Sequence, residues 1–319
     1  MQELIKKFNN IKIAVIGDLM LDKYIFGKVE RISPEAPIPI VTVEKEKFVA
    51  GGAANVAANI TTLSGKSSIL GVVGKDSAAI TLNGCIKDLE IDTSGICFLP
   101  ERKTIQKIRI IGQNQQLLRV DYEDGSYIGS HAEKQIMDHL ATCQNLQAIV
   151  VSDYAKGTIT SELMQLLKAH ANKHNIKLIV DPKPLHKDFY HDLFLITPNQ
   201  KEAQELSGIL LNEDKDFLAA GAKLVNEFKA NIIITAGARG MYVFPQNAPE
   251  NYTHIPTVAR EVYDVSGAGD TVVATLSLAL ASGASLTDAA KLANIAAGIK
   301  VSKMGTAPVY YHELEEELK

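Results

Sequence analysis

The 319-residue sequence predicts an α/β fold in three layers, with a mostly parallel central sheet and a small β-sheet lid. Short runs rich in valine and isoleucine alternate with helical patterns over most of the chain. These runs show no polar alternation, which is typical of strands that helices cover on both faces. Two further segments alternate polar and apolar residues, as half-exposed antiparallel strands do.

The central layer is predicted from strands and helices in regular succession. In the first half of the chain, the pattern predicts strands at 12–18 and 67–74, and helices at 53–63 and 78–90. In the second half, it predicts strands at 148–154, 177–182, 193–199 and 231–237, and helices at 161–174 and 217–229. Strands that alternate with helices in this way favour parallel pairing through crossover connections.

The two alternating segments, Lys23–Phe48 and Lys103–Asp124, interrupt this succession. The first carries three prolines, and the second contains a Gly-Gln-Asn sequence that is typical of a turn. We therefore expect one domain of residues 1–319, with lid segments at about 23–48 and 95–124. Exposed edges of such strands often pair between copies, so we also expect a homodimer.

Composition and charge limit the possible partners and compartment. The chain is 46% hydrophobic and 22% charged, and its net charge is −4, so no general positive field attracts nucleic acid or an anionic membrane. The three cysteines form no CxxC pair, and the N-terminus lacks the apolar segment of a secretory signal. The longest apolar stretch, Val272–Ala281, is about half the length of a membrane span. We expect a cytoplasmic protein without nucleic-acid or membrane partners.

A glycine-rich turn, "DVSGAGDT" at 264–271, leads into a long apolar stretch that is predicted to be a helix from Asp270. Backbone N–H groups at a helix start favour an anion, and Gly267 and Gly269 would let it approach the backbone closely. The Asp270 carboxylate would repel a phosphate bound there, so an aspartate at this position is unfavourable unless it has a chemical role. One such role is to accept the proton of an attacking hydroxyl. An N-capping aspartate after a loop is the alternative, and the turn alone does not decide between them.

A second glycine cluster, "AGGAANVAAN", occupies residues 50–59. Gly51 and Gly52 precede a helix of small residues, and Asn55 could both donate to and accept from a hydroxylated ligand. Tight packing of the helix on the sheet is the simpler explanation of this cluster alone. Neither cluster fits GxxxxGK[ST] or GxGxxG, so a nicotinamide-dependent oxidoreductase is only a distant alternative.

Together, the two clusters resemble the signatures of the ribokinase-like (PfkB) carbohydrate kinases, and the resemblance extends over nearly the whole chain. Within that family, "VIGDLMLDKYIFGKVERISPEAPIPIV" at 15–41 and the following "GGAANVAANI" resemble the D-glycero-β-D-manno-heptose-7-phosphate kinases. The pieces "SDYAKG" at 152–157, "ITPNQKEA" at 196–203 and "KMGTAP" at 303–308 are similar to the same branch.

The resemblance implies a role for each matching residue. Asp270 corresponds to the catalytic base, and the N–H groups of Gly267, Ala268 and Gly269 correspond to an anion hole. The implied sugar-binding group consists of Asp18, Asp22, Gly51, Gly52 and Asn55. The implied nucleotide contacts are Asn199, Gln200, Lys201, Glu202, Thr235, Gly237, Gly240 and Asn294. Glu202 is associated with Mg²⁺, and Asp264 is a candidate for a monovalent-cation site such as one for K⁺.

Basic residues of the lid are candidates for binding a phosphate on the sugar. Lys107 and Arg109 fall on one face of a predicted strand, because side chains alternate along a strand. Lys156 is a further candidate, and Arg31 and Lys183 are additional ones. A solvated lid edge that charge protects from pairing explains the basic strand equally well.

The resemblance implies an ATP-dependent kinase that phosphorylates O1 of heptose 7-phosphate and gives the 1,7-bisphosphate. Such a product belongs to ADP-heptose and lipopolysaccharide inner-core precursor synthesis. The alternatives are a kinase of the same fold that acts on another sugar, sugar phosphate or nucleoside, and a non-catalytic sugar- or nucleotide-binding protein. Because no HxGH motif of a nucleotidyltransferase occurs, we expect a stand-alone kinase.

Overall fold

The main sheet contains nine strands among the residues that the computed structural model describes, which are 1–113, 115–258, 262–303 and 307–319. They are β1 (Lys12–Gly17), β4 (Lys66–Gly74), β5 (Asp92–Leu99), β8 (Ala148–Ser152), β9 (Lys177–Asp181), β10 (Leu195–Ile196), β11 (Asn231–Thr235), β12 (Met241–Phe244) and β13 (Thr253–Ile255). Their order is β13–β12–β11–β10–β9–β8–β1–β4–β5. Every pair is parallel except β11–β12 and β12–β13, as the continuous apolar runs predict.

Helices cover both faces of this sheet. The described helices are α1 (Gln2–Ile5), α2 (Ala53–Thr62), α3 (Ser77–Lys87), α4 (Ser130–Thr142), α5 (Ser161–His174), α6 (Gln200–Ser207), α7 (Asp214–Phe228), α8 (Ala268–Ala281), α9 (Leu286–Val301) and α10 (Tyr311–Glu317). In β1, Ile13 and Val15 pack into one core with α2, α3, α8 and α9. Ala14 and Ile16 point to the other face and pack with α4 to α7. Apolar side chains on both faces of a strand thus require two helical layers, and the three-layer prediction is confirmed.

A second, four-stranded sheet has the order β3–β2–β6–β7. Its strands are β2 (Leu19–Ile32), β3 (Pro39–Gly52), β6 (Ile105–Gly112) and β7 (Gln115–Tyr122). The β2–β3 and β6–β7 pairs are antiparallel, and β2 pairs with β6 in parallel. We call this sheet the lid. The second predicted lid segment, 95–124, differs in one respect, because residues 95–99 pair with β4 in the main sheet.

The lid has one polar and one apolar face, because residues directly opposite in neighbouring strands share a face. The polar face carries Asp22, Tyr24, Lys107, Arg109, Arg119 and Asp121 in paired positions. The opposite face, which we call the apolar face, carries one ion pair, Lys23–Glu46, and the apolar residues Ile25, Phe48, Ile108, Ile110, Leu118, Val120 and Tyr122. Leu118 is 55% exposed and Tyr122 is 47% exposed, so this apolar face is left partly uncovered within the chain.

Three local predictions need correction or limits. The helix predicted from Asp270 begins two residues earlier, at Ala268, because Gly267 is its N-cap. Of the strand predicted at 193–199, only Leu195–Ile196 forms a strand, and Asn199 makes an isolated bridge. In the "KMGTAP" piece, residues 304–306 lie outside the described residues. Among the described helices, none is both long and apolar enough to cross a bilayer.

Candidate active site

The side chains that could bind a ligand or take part in a reaction lie at the carboxyl edge of the parallel strands, where ligands bind in open α/β sheets. Asp18 follows β1, Tyr154 follows β8, Lys183 follows β9 and Asn199 follows β10. The N-terminus of α8 lies at the same edge, because Asp270 contacts Tyr154. A cavity of about 170 Å³ lies among these loops. Its lining includes Tyr154, Asp181, Lys183, Thr197, Asn199, Glu202, Thr235, Gly267, Gly269 and Asp270.

Asp270 is held at this cavity by a hydrogen bond to each carboxylate oxygen. The Asn55 side-chain amide donates to Oδ2 at 2.5 Å, and the Tyr154 hydroxyl donates to Oδ1 at 2.8 Å. Burial raises the pKa of the Asp270 carboxyl above its usual range, while these two hydrogen bonds oppose the rise. A buried carboxylate that is held in one orientation can accept a proton from a hydroxyl placed beside it.

The turn before α8 has the geometry that the glycines predict, with one exception. Gly267 has φ +77°, and a Cβ there would lie 2.9 Å from the Asn55 amide nitrogen. A Cβ at Gly269 would meet no protein atom within 4 Å, so this position borders open space in the cavity. The Ala268 N–H, however, donates to the Val265 carbonyl at 3.1 Å. The predicted anion hole therefore loses the Ala268 donor in this structure, and Gly267 and Gly269 remain its candidates.

The second glycine cluster makes room for a carboxylate. A Cβ at Gly51 would lie 2.2 Å from Asp22 Oδ2, and Gly52 has φ +59° as the N-cap of α2. Asp22 forms an ion pair with Arg109 across the lid. Both side chains are largely buried, and Arg109 also lies over the Tyr24 ring with its guanidinium carbon 5.2 Å from the centroid. The structure thus joins a predicted sugar ligand, Asp22, to a predicted phosphate ligand, Arg109.

Two of the predicted substrate ligands are engaged elsewhere. Asp18 is fully buried, and its carboxylate accepts the backbone N–H groups of Tyr154, Lys156 and Thr158 at 2.9 to 3.0 Å. Asp18 therefore shapes the loop after β8 in this structure, and its contact with a sugar stays a prediction. The Lys156 ammonium pairs with Glu123 at 2.6 Å, and Lys156 is absent from the lining of the cavity.

All the residues predicted to bind a nucleotide except Glu202 line one mostly apolar cleft of about 650 Å³. They are Asn199, Gln200, Lys201, Thr235, Gly237, Gly240 and Asn294. Gly240 has φ +85°, and a Cβ there would lie 2.0 Å from the Ile255 carbonyl oxygen, so only glycine fits this turn. Asn199, Thr235, Gly269 and Val272 line both the cleft and the cavity, so the two spaces adjoin.

The two predicted metal ligands lie in different surroundings. Glu202 lines the cavity, where it pairs with Lys183 and accepts the Asn199 N–H at 3.0 Å in a capping box. Asp264 accepts the Ser266 N–H at 2.8 Å, and it lines neither the cavity nor the cleft. Within the described part of the chain, no cluster of three or more His, Cys, Asp or Glu side chains could hold a metal ion.

Sequence reasoning missed Tyr154 and Asp181. Burial raises the pKa of Asp181 well above its usual range, and the charge of Glu202 adds to this effect. Tyr154 is the last residue of the strand predicted at 148–154, and Asp181 is the second-last residue of the strand predicted at 177–182. That position was the available signal, since the carboxyl ends of neighbouring parallel strands meet at one edge. Lys183, predicted only as a further phosphate ligand, also lines the cavity.

A buried polar network supports the loops that carry these residues. Asp153 is fully buried, and its Oδ2 lies 2.6 Å from both His186 Nδ1 and the Tyr190 hydroxyl. The Tyr190 hydroxyl also accepts the Lys183 N–H at 2.9 Å. The Asp153 N–H donates to the Asp181 carbonyl at 3.2 Å. The loops after β8 and β9 are therefore tied together beneath the cavity.

Comparison with known families identifies this arrangement. Residues 10–311 match the profile described as "pfkB family carbohydrate kinase". The chain belongs to the pfkB family of carbohydrate kinases. It is therefore a phosphotransferase that acts on a sugar hydroxyl, and the family as a whole uses ATP and a divalent metal ion.

Curated relatives and solved structures agree with this membership. The chain is 44% identical over 310 residues to the bifunctional protein HldE of Methylobacillus flagellatus, with 96% of this chain and 63% of the relative covered. It is 43% identical to the HldE protein of Geobacter sulfurreducens, with 94% and 61% covered. The kinase thus spans less than two thirds of the length of these relatives.

The fold is similar to that of Arabidopsis thaliana ribokinase complexed with ribose and ATP, with a TM-score of 0.77 and 17% identity. That alignment covers 97% of this chain and 98% of the ribokinase chain. The Escherichia coli phosphofructokinase-2 in complex with substrates and products also gives a TM-score of 0.77, at 22% identity, with 96% and 97% covered. These two similarities concern the fold.

Proposed function

We propose that this kinase transfers the γ-phosphoryl of ATP to O1 of D-glycero-β-D-manno-heptose 7-phosphate and gives the 1,7-bisphosphate. The product would serve ADP-heptose and lipopolysaccharide inner-core precursor synthesis. The observation that carries the proposal is the oriented Asp270 carboxylate at the start of α8, in a cavity that adjoins the nucleotide-sized cleft. The choice of sugar is supported by the resemblance of residues 15–41 to heptose-7-phosphate kinases.

In the proposed reaction, Asp270 accepts the proton of the sugar hydroxyl while the hydroxyl oxygen bonds to the γ-phosphorus. The bond from that phosphorus to the bridging oxygen breaks, and ADP leaves with the electron pair. The N–H groups of Gly267 and Gly269, at the positive end of the α8 dipole, would stabilise the charge on the phosphoryl oxygens. Positioning and charge stabilisation supply most of the catalysis in phosphoryl transfer.

The sugar would lie between the lid and α2. Asp22, Gly51, Gly52 and Asn55 are proposed to contact its hydroxyls, with Asp18 shaping the adjoining loop. The polar lid face brings Lys107 and Arg109 to the same space, where Lys107 Nζ lies 5.6 Å from the Tyr154 ring centroid. We propose these two side chains as the main ligands of the 7-phosphate, with Lys156 at its edge.

The nucleotide would occupy the cleft, whose apolar walls suit a purine base and whose polar contacts come from the residues predicted in sequence.

The oxygen ligands in the cavity also fit Mg²⁺, because Asp181 and Glu202 line the cavity and each offers hard oxygen ligands. Burial and the Glu202 charge raise the pKa of Asp181, and a bound cation would favour the ionised form of this carboxyl. When bound, Mg²⁺ would neutralise phosphate charge. Asp264 stays the candidate for a monovalent cation such as K⁺.

We also propose a homodimer in the cytoplasm. The apolar lid face leaves Phe48, Leu118 and Tyr122 between 38% and 55% exposed, which is typical of a surface that another subunit covers. All three cysteines are free thiols, which suits a reducing compartment.

A substrate panel tests the proposed reaction. ADP release is followed with ATP and each of heptose 7-phosphate, fructose phosphates, ribose and nucleosides. We expect the highest kcat/KM with heptose 7-phosphate. A higher value with another acceptor would keep the kinase and replace the sugar. ATP and sugar binding without turnover on any acceptor would favour a non-catalytic binding protein.

A further inference from the structure

Tyr154 lies between the lid and the Asp270 carboxylate. Its hydroxyl donates to Asp270 Oδ1 at 2.8 Å. Its ring lies near two ammonium groups, with Lys107 Nζ 5.6 Å and Lys183 Nζ 5.5 Å from the ring centroid. Lys107 belongs to lid strand β6, whereas Lys183 follows main-sheet strand β9. Tyr154 therefore contacts the base and one charged group from each sheet.

Hydrogen bonds hold the backbone at and just before Tyr154. Its own N–H donates to Asp18 Oδ2 at 2.9 Å. The preceding residue, Asp153, is fully buried and bonded to His186 and Tyr190. These contacts fix the position of the backbone from which the phenol reaches Asp270. The hydroxyl also stays protonated, because burial and the Asp270 charge raise the pKa of Tyr154 well above 10.

The two donors on Asp270 are not equivalent. Asn55 lies on α2, next to the glycines proposed for sugar binding, so its amide is part of the sugar site. Tyr154 approaches the opposite oxygen from the loop after β8. With one donor on each oxygen, the carboxylate cannot rotate without losing a hydrogen bond. Each donor also stabilises the ionised form of a buried acid.

We propose that Tyr154 is a positioning residue, whose hydroxyl orients the Asp270 carboxylate and keeps it ionised for the reacting sugar hydroxyl. The inference rests on the proposed function, because it takes Asp270 as the base. Tyr154 keeps its own proton throughout the reaction. The sugar proton moves to Asp270 as the new oxygen–phosphorus bond forms.

The substitution Tyr154→Phe tests this role, because it removes the hydroxyl and keeps the ring between the two lysines. The hydrogen bond lowers the pKa of Asp270, so its loss raises that pKa, and the base needs a higher pH to ionise. We expect the acid limb of kcat/KM against pH to move up by about one unit, as for the loss of one hydrogen bond to a charged group. The deficit should be largest at low pH and shrink as pH rises, with the KM for ATP unchanged.

The other charged groups around Asp270 stay the same in this variant. They are Asp22 from β2, Asp181 and Lys183 from the end of β9 and the loop after it, and Lys300 from α9. Tyr242→Phe is the matched control, because it removes a tyrosine–carboxylate hydrogen bond of 2.6 Å to Asp214 outside the cavity. Its pH profile should coincide with that of the wild type. A deficit in Tyr154→Phe that is uniform across pH would overturn the inference.

A second measurement needs no sugar turnover. Titration of ¹³C-labelled aspartate carboxyls by NMR, with Asp270→Asn to assign the signal, reports the pKa of Asp270 directly. We expect a higher pKa in Tyr154→Phe than in the wild type. An unchanged pKa would overturn the inference. If the wild type phosphorylates no sugar, the proposed function fails, and the carboxyl titration still decides what Tyr154 does.

Discussion

Arg109 and Asp22 neutralise each other across the polar face of the lid, although sequence reasoning gave them separate ligands. In the strand register, Asp22 is opposite Lys107 and Tyr24 is opposite Arg109, so the ion pair runs diagonally between β2 and β6. A substrate phosphate at Arg109 would have to share the guanidinium with Asp22. If Asp22 and Arg109 bind as proposed, the pair would link recognition of the sugar hydroxyls to recognition of the remote phosphate.

Replacing Lys107 and Arg109 together with alanine should reduce the preference for a phosphorylated sugar. Each charge-assisted phosphate contact contributes roughly 1.5–3 kcal/mol, so the kcat/KM ratio of heptose 7-phosphate to unphosphorylated heptose should fall by about two to four decades. Lys28→Ala is the control, since it removes only the exposed Lys28–Glu44 pair of the same sheet. If the ratio stays constant, the phosphate is held elsewhere, and Arg31, Lys156 and Lys183 are next to test.

Asp270→Asn should abolish most turnover while nucleotide binding persists. The amide keeps the size of the side chain but cannot act as a base, and general-base contributions are on the order of 10²–10⁴-fold. The measurements are kcat with heptose 7-phosphate and the Kd for ATP by calorimetry. A variant with more than about half of the wild-type kcat would show that another group accepts the proton.

Gly269→Ala should impair phosphoryl transfer without harming the fold. A Cβ at Gly269 meets no protein atom within 4 Å, yet it would project where the cavity is open. Gly84→Ala is the matched control, because Gly84 is also helical with nothing within 4 Å of its ideal Cβ, and it lies outside the cavity. We expect both variants to be at least as stable as the wild type in urea, because alanine favours helices. Only Gly269→Ala should lose at least about tenfold in kcat/KM for ATP, and equal activities would remove the anion-hole role of this position.

Asp76 should stabilise the protein in a pH-dependent way. Its carboxylate caps α3 through the Ala79 N–H at 2.9 Å and also accepts the Thr104 N–H at 2.9 Å. Burial alone would raise the pKa of Asp76, but the hydrogen bonds from Thr104 and Ala79 outweigh it and lower the pKa below 3.8. Because the pKa is lower in the folded state than in the unfolded state, the stabilisation is fully present at neutral pH. It is lost as the pH falls through the folded-state pKa of Asp76.

The corresponding measurement is urea unfolding of wild type and Asp76→Ala at pH 7 and pH 3. Loss of a helix cap costs about 1 kcal/mol, so we expect a difference of that size at pH 7 and a smaller one at pH 3. A difference that grows toward acid would contradict the assignment.

Leu118→Lys should weaken the proposed dimer. Leu118 lies on the apolar lid face and is 55% exposed, so a buried ammonium at a subunit interface would be unfavourable. Leu210→Lys is the control, because Leu210 is 72% exposed and belongs to no part of the lid. Light scattering after size exclusion should show a smaller mass only for Leu118→Lys. A monomeric wild type would remove the dimer proposal altogether.

The central sheet could be predicted because the continuous apolar sequence of its strands indicates burial on both faces. Ile13 to Ile16 are all apolar, and only a strand between two helical layers buries every one of them. The lid could be predicted for the opposite reason, because one of its faces stays polar. The end of the short strand β10 could not be predicted, because nothing in the sequence shows that Thr197 and Asn199 lie outside the strand.

Parts of the site were less accessible to sequence reasoning. The sequence did indicate that Gly267, Gly269 and Asp270 belong to one site, because adjacent glycines permit a close approach to the backbone, and all three line the cavity. The partner of a charged side chain could not be predicted, because pairing depends on distances between loops far apart in sequence. Asp18 shows this limit, since its three backbone donors come from residues about 140 positions away.

The way in which the lid hairpin joins the main sheet has a mechanical consequence. Only Asp18 separates the end of β1 from the start of β2, and β3 runs into α2 at Ala53, whose N–H donates to the Asp18 carbonyl at 3.1 Å. Both strands of the hairpin, β2 and β3, are thus anchored at Asp18, and no flexible linker separates either strand from it. The Asp18 carboxylate also accepts the Tyr154 N–H, and the Tyr154 hydroxyl donates to Asp270, so a change in the angle of the lid would be transmitted to the proposed base through Asp18 and Tyr154.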